Sequence, residues 1–155
     1  MHVYERILVP VDFSAASVQA AKRAMQLAPP MGHVDLVHVA QLSMPAAMPA
    51  AELPIEEMMT PLDLQQNRAL LEGELQGLHE ILRALNPQVN VDTRVVYGDP
   101  ATVIIDESAH YDLIVVGASH RSRLSQLLLG SITKKAVQDA RCPVLVERDP
   151  EELAR

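Results

Sequence analysis

What narrows the fold of this chain is a strict alternation of strand-like and helix-like segments. Arg6-Ile7-Leu8-Val9-Pro10-Val11 and Asp112-Leu113-Ile114-Val115-Val116 are nearly unbroken apolar runs, the pattern of strands covered on both faces in a parallel sheet. Val34-Asp35-Leu36-Val37-His38-Val39 is a further strand, and the alternating run from Val89 to Val96 suits a half-exposed edge. Cys142-Pro143-Val144-Leu145-Val146 closes the series, with Pro143 inside the run marking a second edge strand.

Between these runs the apolar spacing changes to three and four. Ser14 is placed to cap a helix whose buried face carries Val18, Ala21, Met25 and Ala28, and Pro29-Pro30-Met31-Gly32 ends it. Leu64, Leu71, Leu75, Leu78, Leu82 and Leu85 give a longer helix with a core-facing stripe, stopped at Asn86-Pro87. Asp99 caps a short helix with Pro100 in its first position, running to about Ala109, and Ile132 to Ala140 forms the last helix. Strict alternation predicts an α/β fold, a doubly wound five-stranded parallel sheet with helices on both faces and strand order 3-2-1-4-5. The order reverses between the first and fourth strands, and ligands of such Rossmann-like sheets bind beyond the carboxyl ends there.

The segment leaving the fourth strand is Gly117-Ala118-Ser119-His120-Arg121, and it reaches the last helix through Gly130-Ser131. A glycine where a parallel strand stops lets main chain approach a ligand, and the first turn of the following helix offers free N–H groups and partial positive charge. Together they outline an anion pocket, most simply one for phosphate.

Composition limits what that pocket serves. The chain has 155 residues, 48% of them hydrophobic, enough for one well-buried core. Residues 1–148 are expected to form a single domain, with a Pro/Met-rich insertion at 41–61 and a charged tail at 149–155. Pro45, Pro49, Pro54 and Pro61 prevent a continuous helix through the insertion, which reads as solvent-exposed or partner-covered, or alternatively as a methionine lid. Lys and Arg total 13 against 20 Asp and Glu, a formal charge of -7 that repels nucleic acid and anionic membrane. With no long apolar stretch and no signal-peptide pattern, the expected location is cytoplasmic. Cys142 is the only cysteine, so no internal disulfide or thiolate metal cluster can form, and within its strand-like run it reads as a small buried hydrophobe.

With the loop in view, the chain resembles the universal stress protein family along essentially its whole length. The family's ATP-binding members carry glycine, two residues, glycine, nine residues, glycine, then serine or threonine. Gly117, His120, Gly130 and Ser131 occupy those positions, with His120 in place of the second glycine. The segments Ile7 to Ser14, Val37-His38-Val39, Val96 to Pro100 and Cys142 to Val146 resemble other landmarks of the family. The resemblance implies an adenine nucleotide, ATP or AMP, with Mg²⁺ or Mn²⁺ bridging its phosphates. It implies that Pro10, Val11 and Val39 line the adenine slot, their backbone groups reading the base edge, and that Asp12 meets the ribose or a cation. Val116, Gly117 and Gly130 would bring main chain to ribose and phosphates. Ser131, Ile132 and Thr133 would follow in the helix's first turn, and Arg121 would meet phosphate oxygens. His120 would either intrude on the pocket or donate to a phosphate. The resemblance also implies a homodimer paired through Val144, Leu145 and Val146.

The function expected on these grounds is a nucleotide-responsive, homodimeric stress protein without catalytic residues. The alternative is a dimer of the same fold that binds no nucleotide and works through protein contacts. Other chemistries are disfavoured. The Ser119 loop faintly resembles a nucleophile elbow, but no histidine follows His120 to complete a triad. The turn Pro10-Val11-Asp12-Phe13-Ser14 has no glycine for a dinucleotide fingerprint. His33 and His38 fall on opposite faces of one strand, and no other histidine has a partner at metal-ligand spacing.

Overall fold

A computed structural model describes residues 4–41, 61–118, 130–149 and 151. The sequence-predicted His120, Arg121 and nearly all of the 41–61 insertion lie outside those residues. The elements in chain order are β1 (Arg6–Pro10), α1 (Ala15–Leu27), β2 (His33–Ala40), α2 (Pro61–Leu85), β3 (Asn90–Tyr97), α3 (Pro100–Glu107), β4 (Leu113–Ala118), α4 (Ser131–Asp139) and β5 (Val144–Arg148). A single turn of 3₁₀ helix, Ser108–His110, extends α3.

All pairings are parallel and the order is β3-β2-β1-β4-β5, as the alternation requires. Side chains alternate across the sheet. Ile7, Val9, Val34, Leu36, Leu113 and Val115 pack with Ala20, Ala21, Ala24 and Met25 of α1 and Leu75, Leu78 and Leu82 of α2. Leu8, Val37, Ile114 and Val116 pack on the other face with Ile104 of α3 and Ala136 of α4. The helices therefore cover both faces, two to a side, and bury the polar backbone of β1 and β4 within ladders.

Several boundaries differ from the sequence expectation, each for a local reason. Pro61 does not break a helix but opens α2, where its missing N–H costs nothing. Of the leucine stripe, Leu75, Leu78 and Leu82 are buried, whereas Leu85 in the last turn is exposed. Pro143 precedes β5 rather than interrupting it; its carbonyl accepts from the Ile114 amide at 2.9 Å and starts the ladder. β5 is nonetheless an edge strand, and it runs on to Arg148, with Glu147 paired to Arg23 of α1 at 2.8 Å. Cys142 is half-buried, and that burial raises its thiol pKa, keeping it protonated.

β1 and β4 are paired over two residues only, Ile7 with Leu113 and Leu8 with Ile114. Past that point Pro10 has no amide hydrogen to continue a ladder, and the strands part. Gly117 lies within β4 rather than at its end. A Cβ on it would stand 2.5 Å from the Ala16 carbonyl carbon and 2.6 Å from the Ser17 amide nitrogen, both main chain. The glycine is therefore demanded by the approach of α1 to β4, a packing need that the sequence reading did not anticipate.

Near the amino ends of β1 and β2 a polar cluster ties sheet to α3. The Tyr111 hydroxyl donates to Asp35 Oδ2 at 2.6 Å and accepts from Arg94 Nη2 at 3.1 Å, while Arg94 forks onto both carboxylate oxygens of Glu107. The Arg6 guanidinium stands 5.2 Å from the Tyr111 ring centroid. Burial, then the hydrogen bond to Asp35, pushes the Tyr111 phenol up to about 12.

Two outcomes are expected. Gly117→Ala places a methyl against immovable backbone and should lower unfolding stability by about 3 kcal/mol; a denaturant midpoint equal to wild type would refute the packing role. Because the folded phenol pKa lies above the unfolded value of about 10, the Tyr111 contribution is complete below pH 10 and drains away as pH rises through 12. Tyr111→Phe should therefore be less stable at pH 8, by about 2 kcal/mol, and show a flatter decline between pH 10 and 12.

Candidate functional site

The parting of β1 and β4 leaves a cavity of about 540 Å³ beyond their carboxyl ends, within the roughly 300–1,000 Å³ usual for small-molecule sites. Ten residues expected from the sequence line it: Pro10, Val11, Asp12, Val39, Val116, Gly117, Gly130, Ser131, Ile132 and Thr133. His120 and Arg121 belong to the undescribed loop. Ser17, Val37, His38, Gln41, Pro100 and Ile104 also line the cavity and were not anticipated as site residues. The signal for His38 and Gln41 was present, since His38 precedes Val39 and Gln41 directly follows the end of β2; Pro100 was visible in the Gly98-Asp99-Pro100 turn.

One wall is the amino end of α4. Its N-cap is Gly130, which offers no side-chain acceptor, while its carbonyl closes the first turn by accepting from the Lys134 amide at 2.9 Å. By contrast, the Ser14 hydroxyl accepts from the Ser17 amide at the start of α1, and Asp99 accepts from the Thr102 amide at the start of α3. The first-turn amides of Ser131, Ile132 and Thr133 thus have no acceptor from their cap, and their partial positive charge opens toward the cavity. The Thr133 hydroxyl is spent internally, donating to the Gly117 carbonyl at 3.4 Å, which leaves that residue its amide. Gly130 has φ −58° and its Cβ position meets nothing within 4 Å, so neither strain nor crowding by the protein requires glycine there.

The opposite wall is the end of β2. The Val37 carbonyl accepts from the Val11 amide at 2.9 Å, and the Ala40 carbonyl accepts from the Gly98 amide at 3.1 Å. Alternate residues of β2 therefore address β1 and β3. Val39 shares the parity of Val37, so its amide and carbonyl turn toward the side that β1 has just vacated. The Val11 amide is taken by Val37, and its carbonyl already accepts from His38 Nδ1 at 2.6 Å. Pro10, Val11 and Val39 all line the cavity, and of the three it is Val39 whose amide and carbonyl both face the side that β1 has left.

The floor is the turn after β1. Asp12 Oδ1 accepts from the Ser14 amide at 2.9 Å and from the Ser14 hydroxyl. Phe13 holds φ +61°, a left-handed conformation that costs a bulky residue energy, with its ring 4.8 Å from that of His38. Among the described residues no group of three or more His, Cys, Asp or Glu could hold a metal.

A crevice at the reversal of a 3-2-1-4-5 sheet, bounded by an uncapped helix, has known counterparts. A model of the universal stress protein family matches residues 3–148. The chain belongs to that family. Its sequence is 30% identical to a universal stress protein of Methanocaldococcus jannaschii over 155 aligned residues, covering 96% of this chain and 85% of the relative. Universal stress protein UspA from Lactobacillus plantarum superposes with a TM-score of 0.75 at 26% identity, covering 96% of this chain and 100% of that one. A family member from Arabidopsis thaliana, solved with AMP bound, superposes at 0.56 with 22% identity, covering 97% and 95% of the two chains, a likeness of fold. Within this universal stress protein, none of the described helices is long and apolar enough to cross a membrane.

Proposed function

We propose that this universal stress protein binds an adenine nucleotide, ATP or AMP, in the crevice beyond β1 and β4, and acts as a nucleotide-responsive homodimer. The observation that carries the reading is the pairing of two backbone features across one cavity. The uncapped amides of α4 suit phosphate oxygens, and the turned-out amide and carbonyl of Val39 suit the donor and acceptor on a purine edge. That a plant protein of this fold was solved with AMP bound supports the reading. Asp12 would meet ribose hydroxyls or a Mg²⁺ or Mn²⁺ ion carried in by the phosphates. Its Oδ1 already accepts two donors from Ser14, which suits a holding role better than proton abstraction. Binding rather than turnover is the activity inferred.

The dimer reading rests on β5. It is an edge strand whose five residues, Val144 to Arg148, are all half-buried in the single chain, and α4 carries the exposed Val137 and the marginally exposed Ile132. A second copy laid along it would cover both the open ladder edge and those side chains.

Calorimetry with ATP and Mg²⁺ tests the site. Gly130→Val should fold normally, because the protein leaves that direction open, yet lose at least about tenfold in affinity because the added methyls occupy ligand space. Ser131→Asp should be tolerated at a helix amino end but repel phosphate by a similar factor. Equal affinity in all three proteins would refute the site, and no binding by wild type would favour the nucleotide-free alternative. For the dimer, Val146→Lys should sediment as a monomer where wild type sediments as a dimer; a wild-type monomer at micromolar concentration would end that reading.

A further inference from the structure

We infer that His38 is a positioning residue of this crevice, which holds the Val11-Asp12-Phe13 turn in its left-handed form and withdraws the Val11 carbonyl from ligand recognition; the inference rests on the nucleotide reading of the same site. A carbonyl oxygen can only accept, so the 2.6 Å contact places the ring proton on Nδ1. That bond joins the end of β2 to the first residue past β1, at the point where the sheet ladder between the two strands stops. The same imidazole packs on Phe13, whose ring centroid lies 4.8 Å away at an interplanar angle of 35°.

Phe13 needs such a constraint. Its φ of +61° is a conformation that a phenylalanine leaves unless its surroundings hold it. One residue before it, Asp12 lines the cavity; one residue after it, Ser14 both binds Asp12 Oδ1 and caps α1. If the turn relaxed to negative φ, the Asp12 carboxylate and the start of α1 would be redirected together. His38 therefore acts through the turn: it fixes where Asp12 stands and leaves Val39 as the backbone edge that β2 presents.

The two imidazole nitrogens can be separated by substitution. The side-chain amide nitrogen of His38→Asn falls near Nδ1, that of His38→Gln near Nε2, and His38→Leu supplies neither. Affinity for ATP with Mg²⁺ is measured by calorimetry, and hydrogen exchange of the Ser14 amide by NMR without ligand, with the Ile7 and Leu36 amides reporting that the sheet is folded. Asn should stay within about threefold of wild type in both, while Gln and Leu weaken ATP binding and speed Ser14 exchange by about tenfold with the sheet amides unchanged. Gln or Leu matching wild type, Asn falling as far as Leu, or a wild-type imidazole protonated on Nε2 instead of Nδ1 would overturn the assignment. Should wild type take up no ATP, the nucleotide reading fails separately, and the Ser14 exchange ranking alone decides the positioning role.

Discussion

The separation of β1 from β4 after only two paired residues is the constraint on which the rest of the site depends. Strands in a buried parallel sheet must satisfy their backbone groups, and a strand that leaves its neighbour exposes them unless something else intervenes. Here three different solutions meet at one place. Proline at position 10 removes a donor, His38 supplies a side-chain donor to the Val11 carbonyl, and the Val39 backbone is left facing the gap. The crevice is thus a region where sheet hydrogen bonding has been partly replaced by a side chain and partly left open.

Packing holds the gap open at a fixed width. α1 lies so close to β4 that a methyl on Gly117 would overlap main chain, which docks the start of α1 against the far wall. The start of α1 is in turn built from the Ser14 cap and the Asp12-Ser14 bonds. The Thr133 hydroxyl fastens α4 to the Gly117 carbonyl, so the uncapped amides are anchored to the same strand. At the other end of the sheet the Tyr111, Asp35, Arg94 and Glu107 cluster fastens α3, whose first turn contributes Pro100 to the cavity. Affinity in such a site comes from backbone held in place before a ligand arrives, which spares the ordering cost of a flexible pocket.

Much of this was legible beforehand. Hydrophobic period distinguishes buried strands from amphipathic helices without reference to neighbours, and the handedness of parallel crossovers then leaves few ways to order five strands. The same logic placed Pro10 to Asp12, Val116 and Gly117 at the reversal point. Boundaries were less legible: Pro61 and Pro143 act through the residues they adjoin, as the opener of α2 and the start of a ladder. The apolar run of the last strand stops at Val146, yet Glu147 and Arg148 continue β5 by pairing with Gly117 and Ala118, a partnership that no linear pattern shows.

By itself the sequence determined the layered α/β architecture, the location of the crevice and the glycine-bounded entry to α4, because each follows from local periodicity and chain order. Only the tertiary structure decided why Gly117 is glycine, which backbone groups remain available, and that His38 belongs to the site. Those depend on contacts between residues distant in the chain: Gly117 with α1, and His38 with Val11 and Phe13. No spacing rule encodes them, since hydrogen-bond direction and close approach exist only once the strands and helices have been set side by side.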